Sequence, residues 1–328
     1  MARPGARNLI TDVPGIRVGQ AEDVAVRTGV SVIVPDAPAL AAVAVAGGGP
    51  GTRETDLLSA GMMVDAVNAI CLSGGSAFGL AAADGVMAGL KAEGRGFASS
   101  NRPGVPPTPI VPAAILYDLA NEGDKAWGDL SPYHRLGLEA YRAASEDVRL
   151  GRAGAGYGAK AGGVAGGTGS ASLVTHDSFS IGALAGVNCF GSVFMPGTDV
   201  FWGWPFEIGG EYGGRRPSSD FTMDPDDWGN AKANPGLRQN TTIACVATDM
   251  TLTPDEARRV AQMALSGFSR AIRPVFAPFD GDVVFVLSTA RLPRPDPGPL
   301  NIARIGELAA SVLTRAICRG VYEANKGD

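Results

Sequence analysis

The chain has 328 residues, 45% hydrophobic and only 19% charged, with a net charge of −5. That composition excludes a disordered chain and leaves no positive stripe for nucleic acid. Apolar runs are broken by glycine, proline or charge long before the length of a membrane span. With 46 glycines and 23 prolines and no collagen-like period, the chain must carry many tight turns and close backbone contacts.

Short apolar segments closed by Gly or Pro predict strands over residues 28–34, 41–46 and 69–72. Residues 76–93 predict a helix with Ser76 as N-cap and with Phe78, Leu80, Val86, Met87 and Leu90 available for a buried stripe. Ala113 to Leu119 is a further apolar run. Ser131-Pro132 opens a helix to about Ala144, with Pro132 at its first position, where a missing N–H costs nothing. Residues 169–175 and 179–188 predict a hairpin pair. Residues 197–240 form a long irregular excursion rich in Gly, Pro, Asp and Arg, with Trp202, Trp204 and Trp228. A strand over 241–248 follows at once. Thr253-Pro254-Asp255-Glu256 is a capping box launching a helix to about Phe268. Residues 283–287 predict a strand, and 300–324 a helix burying Ile302, Ile305, Leu308, Val312, Ala316 and Ile317. Interleaved strands and helices argue for a layered α/β domain spanning 1–328.

Only His134 and His176 are present, in no metal-ligand spacing and with no GxSxG elbow. No metal or cofactor is implied. Cys71, Cys189, Cys245 and Cys318 lack CxxC spacing and predict free buried thiols. The first eight residues have no apolar signal region, which points to the cytoplasm.

Gly154-Ala155-Gly156-Tyr157-Gly158-Ala159 satisfies GxGxxA, with Asp177 at a distance suited to a ribose, but no strand precedes it. An NAD-binding oxidoreductase is therefore the alternative reading, and a non-catalytic glycine-rich binding protein a third. Residues 73–79 follow a strand and open a helix, as an anion-holding turn or a plain one. Residues 47–55 read as a loop with an Arg53–Glu54 pair, Arg53 being either a carboxylate clamp or a structural partner.

Scission between Asn240 and Thr241 would give Thr241 a free α-amine, whose reference pKa of about 7.7–8.0 suits a general base. One residue then supplies nucleophile and base without imidazole. Asp280 and Asp282, two residues apart before a strand, either hold an ammonium and orient a hydroxyl or form a DG turn. Asn188 either donates to an oxyanion or ends its hairpin, and Tyr117-Asp118 either does likewise or sits in the core by its tyrosine ring.

Taken together these stretches resemble the L-aminopeptidase/D-esterase (DmpA-like) family, which includes β-peptidyl aminopeptidases and nylon-oligomer hydrolases. The resemblance runs through residues 11–19, 51–56, 72–80, 154–159, 187–191, 240–243 and 278–282. It implies a four-layer αββα sandwich, like the N-terminal-nucleophile hydrolases but differently connected. It also implies a precursor that cuts itself once and then a homo-oligomer of the cleaved heterodimers, acting on small peptides or amide oligomers. By the same resemblance Thr241 is the nucleophile, Asn188 serves the oxyanion side, Asp280 and Asp282 flank the new amine, and Tyr117 is the active-site tyrosine. Two departures stand out. Tyr157 replaces a small threonine, and Gly163 stands where some relatives have a lysine, Lys160 lying three residues earlier.

Overall fold

The computed structural model describes residues 2–59, 61–64, 66–98, 102–232, 241–293 and 298–326. The strands of the first half are β1 (Ile16–Asp23), β2 (Thr28–Pro35), β3 (Ala39–Val45), β4 (Thr52–Arg53), β5 (Ala66–Val67), β6 (Ile70–Ser73) and β7 (Ala113–Ile115). Among them lies α1 (Ala82–Ala92), and α2 (Tyr133–Arg142) follows. The second half holds β8 (Lys160–Ala161), β9 (Val164–Ala165), β10 (Gly167–Val174), β11 (Ser180–Asn188), β12 (Thr241–Met250), α3 (Pro254–Ala271), β13 (Val283–Leu292) and α4 (Pro299–Asn325).

Two sheets result. One has the order β1-β2-β6-β7-β4, the other β10-β11-β12-β13-β3-β5. In the second, only the β12–β13 pair is parallel, and α3 makes the crossover between them. Strand alternation sorts the side chains of β12 between two cores. Ile243 and Cys245 meet Ile33, Ile70 and Leu72 of the first sheet. Ala244 and Val246 meet Val260, Phe268, Leu313 and Ile317 of α3 and α4. On the far side, Val30, Val32 and Cys71 pack against Val86, Leu90 and Leu136 of α1 and α2. The order of layers is therefore helix, sheet, sheet, helix. Strands buried on both faces read as continuous apolar runs, which is why β2 and β12 stand out in the sequence. No described helix is long and apolar enough to cross a membrane.

Several glycines are explained by close approach. A Cβ at Gly169 would run into the Ala316 carbonyl, so its absence lets α4 lie directly on β10. At the α1–α2 contact, Gly85 and Gly137 meet the carbonyls of His134 and Ala82 in the same way.

Four local expectations change. Residues 76–93 split into a 3-10 turn (Ser76–Ala81) and α1, and the N-cap is Gly75 in the left-handed region, where a side chain is strained. Phe78 is not in the buried stripe: it is 54% exposed, edge-on to Trp127. Pro132 is the N-cap of α2, not its first residue. Arg53 pairs with Asp84 at 2.7 Å, while Glu54 accepts the Val111 N–H at 3.1 Å, so the two do not pair with each other.

The irregular excursion is packed through its described part, 197–232. Tyr212 is buried and donates to the Gly203 carbonyl at 2.7 Å. Arg273 stacks over Trp202 and Arg216 over Trp204. Glu211 meets the buried Arg315 of α4, whose Nη2 also reaches Asn8 Oδ1 at 2.8 Å. A buried guanidinium held this way ties the excursion, α4 and the N-terminal turn together.

Candidate active site

The two sheets end together near the start of β12. Thr241 is its first residue and is opposite Asn188, the last of β11. By alternation both side chains point between the sheets, as Ile243 and Leu184 do. Thr241 is buried, and a Cβ on Gly281 would stand 2.7 Å from its Oγ1. The hydroxyl therefore rests against the bare backbone of the 280–282 turn.

That turn is held from two sides. Gly49 N donates to the Asp280 carbonyl at 2.7 Å and Ala46 N to the Asp282 carbonyl at 3.0 Å. Gly47 and Gly48 lie so close to the carbonyls of Asp280 and Pro278 that no side chain fits. Asp282 Oδ1 accepts the Thr242 N–H at 2.7 Å and its Oδ2 the Phe276 N–H at 3.2 Å. Asp280 Oδ2 accepts the Ala277 N–H at 3.1 Å, while its buried Oδ1 has no hydrogen-bond partner among the described residues. The turn and the carboxylate pair are thus one feature, and the two readings of this stretch describe the same residues.

Burial dominates the electrostatics. It pushes Asp280 up to about 6 and Asp282 to about 7, the latter also through its neighbour's charge. Lys232 works the other way on Asp280. Its Nζ is 3.4 Å from the Asn188 carbonyl and 3.5 Å from Asn188 Oδ1. Lys232 is absent from the sequence-based candidates because it lies in the excursion, where no periodicity or motif marks it.

Asn188 is oriented by three groups. Lys160 N donates to its Oδ1 at 2.9 Å, Lys232 approaches the same oxygen, and Asn188 Nδ2 donates to the Tyr117 carbonyl at 2.8 Å. One Nδ2 hydrogen is thereby engaged, and the other has no hydrogen-bond partner among the described residues. Tyr117 contributes its backbone here, and its half-buried ring follows β7. Asp118 is the support behind it, accepting the Gly75 N–H and the Thr28 hydroxyl, each at 2.7 Å, with burial raising it to about 6. Lys160 brings its backbone rather than its exposed ammonium to Asn188. Asn240, the other partner in the expected scission, lies outside the described residues.

The glycine motifs serve the fold. In the 154–159 loop, N–H groups go to Glu22, Ser31 and Thr168, leaving no cradle for a pyrophosphate. Asp177 is fastened to Arg304 at 2.7 Å. In the 73–76 turn, the N–H groups of Gly74, Gly75 and Ser76 go to Gly29, Asp118 and Leu116. All four cysteines are free and buried, and burial raises Cys71 and Cys189 to about 12, the state of inert thiols.

Comparison with known proteins agrees with this layout. The sequence pattern of peptidase family S58 matches residues 8–327. An uncharacterized aminopeptidase of Mycobacterium tuberculosis is 39% identical over 334 aligned residues, covering 97% of this chain and 94% of that protein. A 6-aminohexanoate-oligomer endohydrolase of Paenarthrobacter ureafaciens is 30% identical over 332 residues, covering 95% and 86%. Among solved structures, the L-aminopeptidase D-Ala-esterase/amidase of Ochrobactrum anthropi, described as a variant of the Ntn hydrolase fold, superposes with a TM-score of 0.71 at 21% identity. That match covers 99% of this chain and 88% of the other. A Burkholderia sp. beta-aminopeptidase gives a TM-score of 0.70 at 24% identity, covering 98% and 88%. The αββα layering is that of the Ntn-hydrolase-fold aminopeptidases.

Proposed function

This chain belongs to peptidase family S58 and is a hydrolase of amide bonds, and from that premise we propose that it is made as a single-domain precursor that cuts itself before Thr241. In maturation the Thr241 hydroxyl attacks the carbonyl carbon of Asn240, and the acyl group moves from nitrogen to oxygen. Water then hydrolyses the ester, giving a carboxylate on Asn240 and a free α-amine on Thr241. In turnover that amine takes the hydroxyl proton as Oγ1 attacks the substrate amide carbonyl. The tetrahedral oxyanion is met by the remaining Nδ2 hydrogen of Asn188 together with backbone N–H groups. The amine, now an ammonium, hands its proton to the leaving nitrogen, and water attacks the resulting ester with the same amine as base. Asp280 and Asp282 hold the ammonium, and Tyr117 borders the substrate. Mature heterodimers assemble with copies of themselves and act in the cytoplasm on short peptides or amide oligomers.

The observation that carries this reading is the setting of Thr241. A buried hydroxyl at a strand end, between an asparagine held by Lys160 and Lys232 and two desolvated carboxylates, is a setting that a second cation beside Lys232 would stabilise. Scission creates that cation at the right residue. Intact-mass measurement tests it. Active protein is expected as two chains of about 24 and about 9 kDa, taking mass as proportional to length. Thr241→Ala remains one inactive chain, and Thr241→Ser is still cut. An unbroken polypeptide with full activity overturns the reading.

A further inference from the structure

The far end of the described excursion lies against the candidate active site. Lys232 N donates to the Phe190 carbonyl at 2.8 Å, and Gly163 N donates to the Asn230 carbonyl at 2.7 Å. Trp228 stands edge-on to Phe190, and Phe190 edge-on to Phe279, the residue before Asp280, with ring centroids 6.1 and 4.8 Å apart. These contacts bring the Lys232 side chain to Asn188, where Nζ is 3.4 Å from the main-chain carbonyl oxygen and 3.5 Å from Oδ1. The same charge draws the pKa of Asp280 down against the effect of burial. One ammonium therefore acts on the oxyanion side of the site and on its acidic side at once. The remaining ionisable groups nearby are Asp282, the Cys189 thiol, which burial keeps protonated up to about 12, and Lys160, whose ammonium is exposed.

We infer that Lys232 is a positioning residue of this site, acting through Asn188 and Asp280. This rests on the hydrolase reading above and adds a residue to it. A cation at an amide oxygen draws electron density from the amide nitrogen, so Asn188 Nδ2 becomes a stronger donor to an oxyanion. That gain is largest when the negative charge has formed, and it belongs to kcat rather than to binding. Lys232 also supplies one positive charge to the two carboxylates. A proton on the Thr241 amine is then favoured less than it would be among the carboxylates alone, and more of the amine is free to take the hydroxyl proton. Lys232 and Asn188 precede the proposed cut, whereas Thr241, Asp280 and Asp282 follow it, so the mature site draws on both chains.

The test uses three variants of the whole protein. Lys232→Met removes the charge, and Lys232→Arg keeps it. Lys232→Cys treated with 2-bromoethylamine regains an ammonium at nearly the same reach, the thiolate sulfur displacing bromide. Self-scission is followed by intact mass, and trialanine hydrolysis gives kcat and KM against pH. Lys232→Met is expected to lose roughly tenfold or more in kcat, the scale of a charge-assisted hydrogen bond, with KM within about twofold. The acid limb of its kcat profile should move up by about half a unit or more, because Asp280 and the amine both keep their protons to higher pH. Lys232→Arg or the aminoethylated Lys232→Cys protein recovers the activity. A folded Lys232→Met protein that stays uncut, with scission recovered by either of the other two, is the same result read on the first reaction. Unchanged kcat and acid limb in Lys232→Met overturn the inference, as does a loss confined to KM. A loss that neither restored charge repairs also overturns it, since the lysine is then only part of the packing. Wild-type protein that is neither cut nor active overturns the hydrolase reading and this role with it. Cut, active wild type beside an indifferent Lys232→Met overturns this role alone.

Discussion

Gly281 is the surface against which the Thr241 hydroxyl rests. A methyl there would sit 2.7 Å from Oγ1 and 2.8 Å from the Gly49 carbonyl, so Gly281→Ala must move one of them. A misplacement on the ångström scale costs roughly a hundredfold in rate. We expect that loss in kcat for Gly281→Ala, measured on folded protein. Unchanged kcat would show that the hydroxyl does not react from this position. Protonation of the acidic pair gives a second expectation. Burial lifts Asp280 to about 6 and Asp282 to about 7, so the folded chain keeps protons that unfolded carboxyls, near about 3.9, release. The stability tied to them is complete below about pH 4 and is lost as the pH rises through the folded values. In an uncut Thr241→Ala background, adding Asp282→Asn removes one of these groups. Between about pH 5 and about pH 8 the parent should therefore lose melting temperature relative to the double variant. A constant gap would contradict the raised pKa of Asp282.

Thr241, Asp280 and Asp282 are legible in sequence because each borders a strand and their spacing suits one chemistry. Lys232 is not: its importance comes from Asn188, which the fold brings to it from 44 residues away. Asp118 is legible only beside Tyr117, and its hold on Thr28 and the Gly75 N–H comes from contacts made across the fold.

At the level of elements, what could be read locally was local in cause. The α3 start is a capping box, with Thr253 Oγ1 accepting the Glu256 N–H at 3.3 Å and Glu256 Oε2 accepting the Thr253 N–H at 2.9 Å. Thr253→Ala is expected to lower stability by about 1 kcal/mol, read from the denaturant midpoint, with kcat unaltered because this end of α3 lies away from the site. A loss below a few tenths would mean the cap is idle. Long apolar periodicity revealed α4, and double-sided burial revealed β12. By contrast β1 mixes Arg17, Gln20, Glu22 and Asp23 with its buried residues, so its apolar pattern is weak. The order of the 197–232 stretch escaped the sequence for a related reason. It is held by Glu211 on Arg315 and by rings under arginines, and neither leaves a period.

For the molecule as a whole, the decisive arrangement is the order of the second sheet. β12 and β13 are its two central strands, flanked by β11 and β3 from the other side of the proposed cut. Both helices that cover this sheet, α3 and α4, also follow the cut. The short chain therefore cannot leave without opening the sheet and one core. Cleaved protein is expected to elute as one species and to lose both chains in a single denaturant transition. Release of the 9 kDa piece on simple dilution would refute this, taking its mass again as about that. The αββα layering could be anticipated only through resemblance. Alternation along each strand says that it has two faces, not which sheet meets which.

The parallel register of β12 on β13 carries a last consequence. The Thr242 N–H is bonded to Asp282, across strands that run on in step through Ile243 and Val283, so Thr241 has an anchor on its C-terminal side. The proposed cut before Thr241 leaves that anchor in place, on the side of the chain that keeps the new terminus.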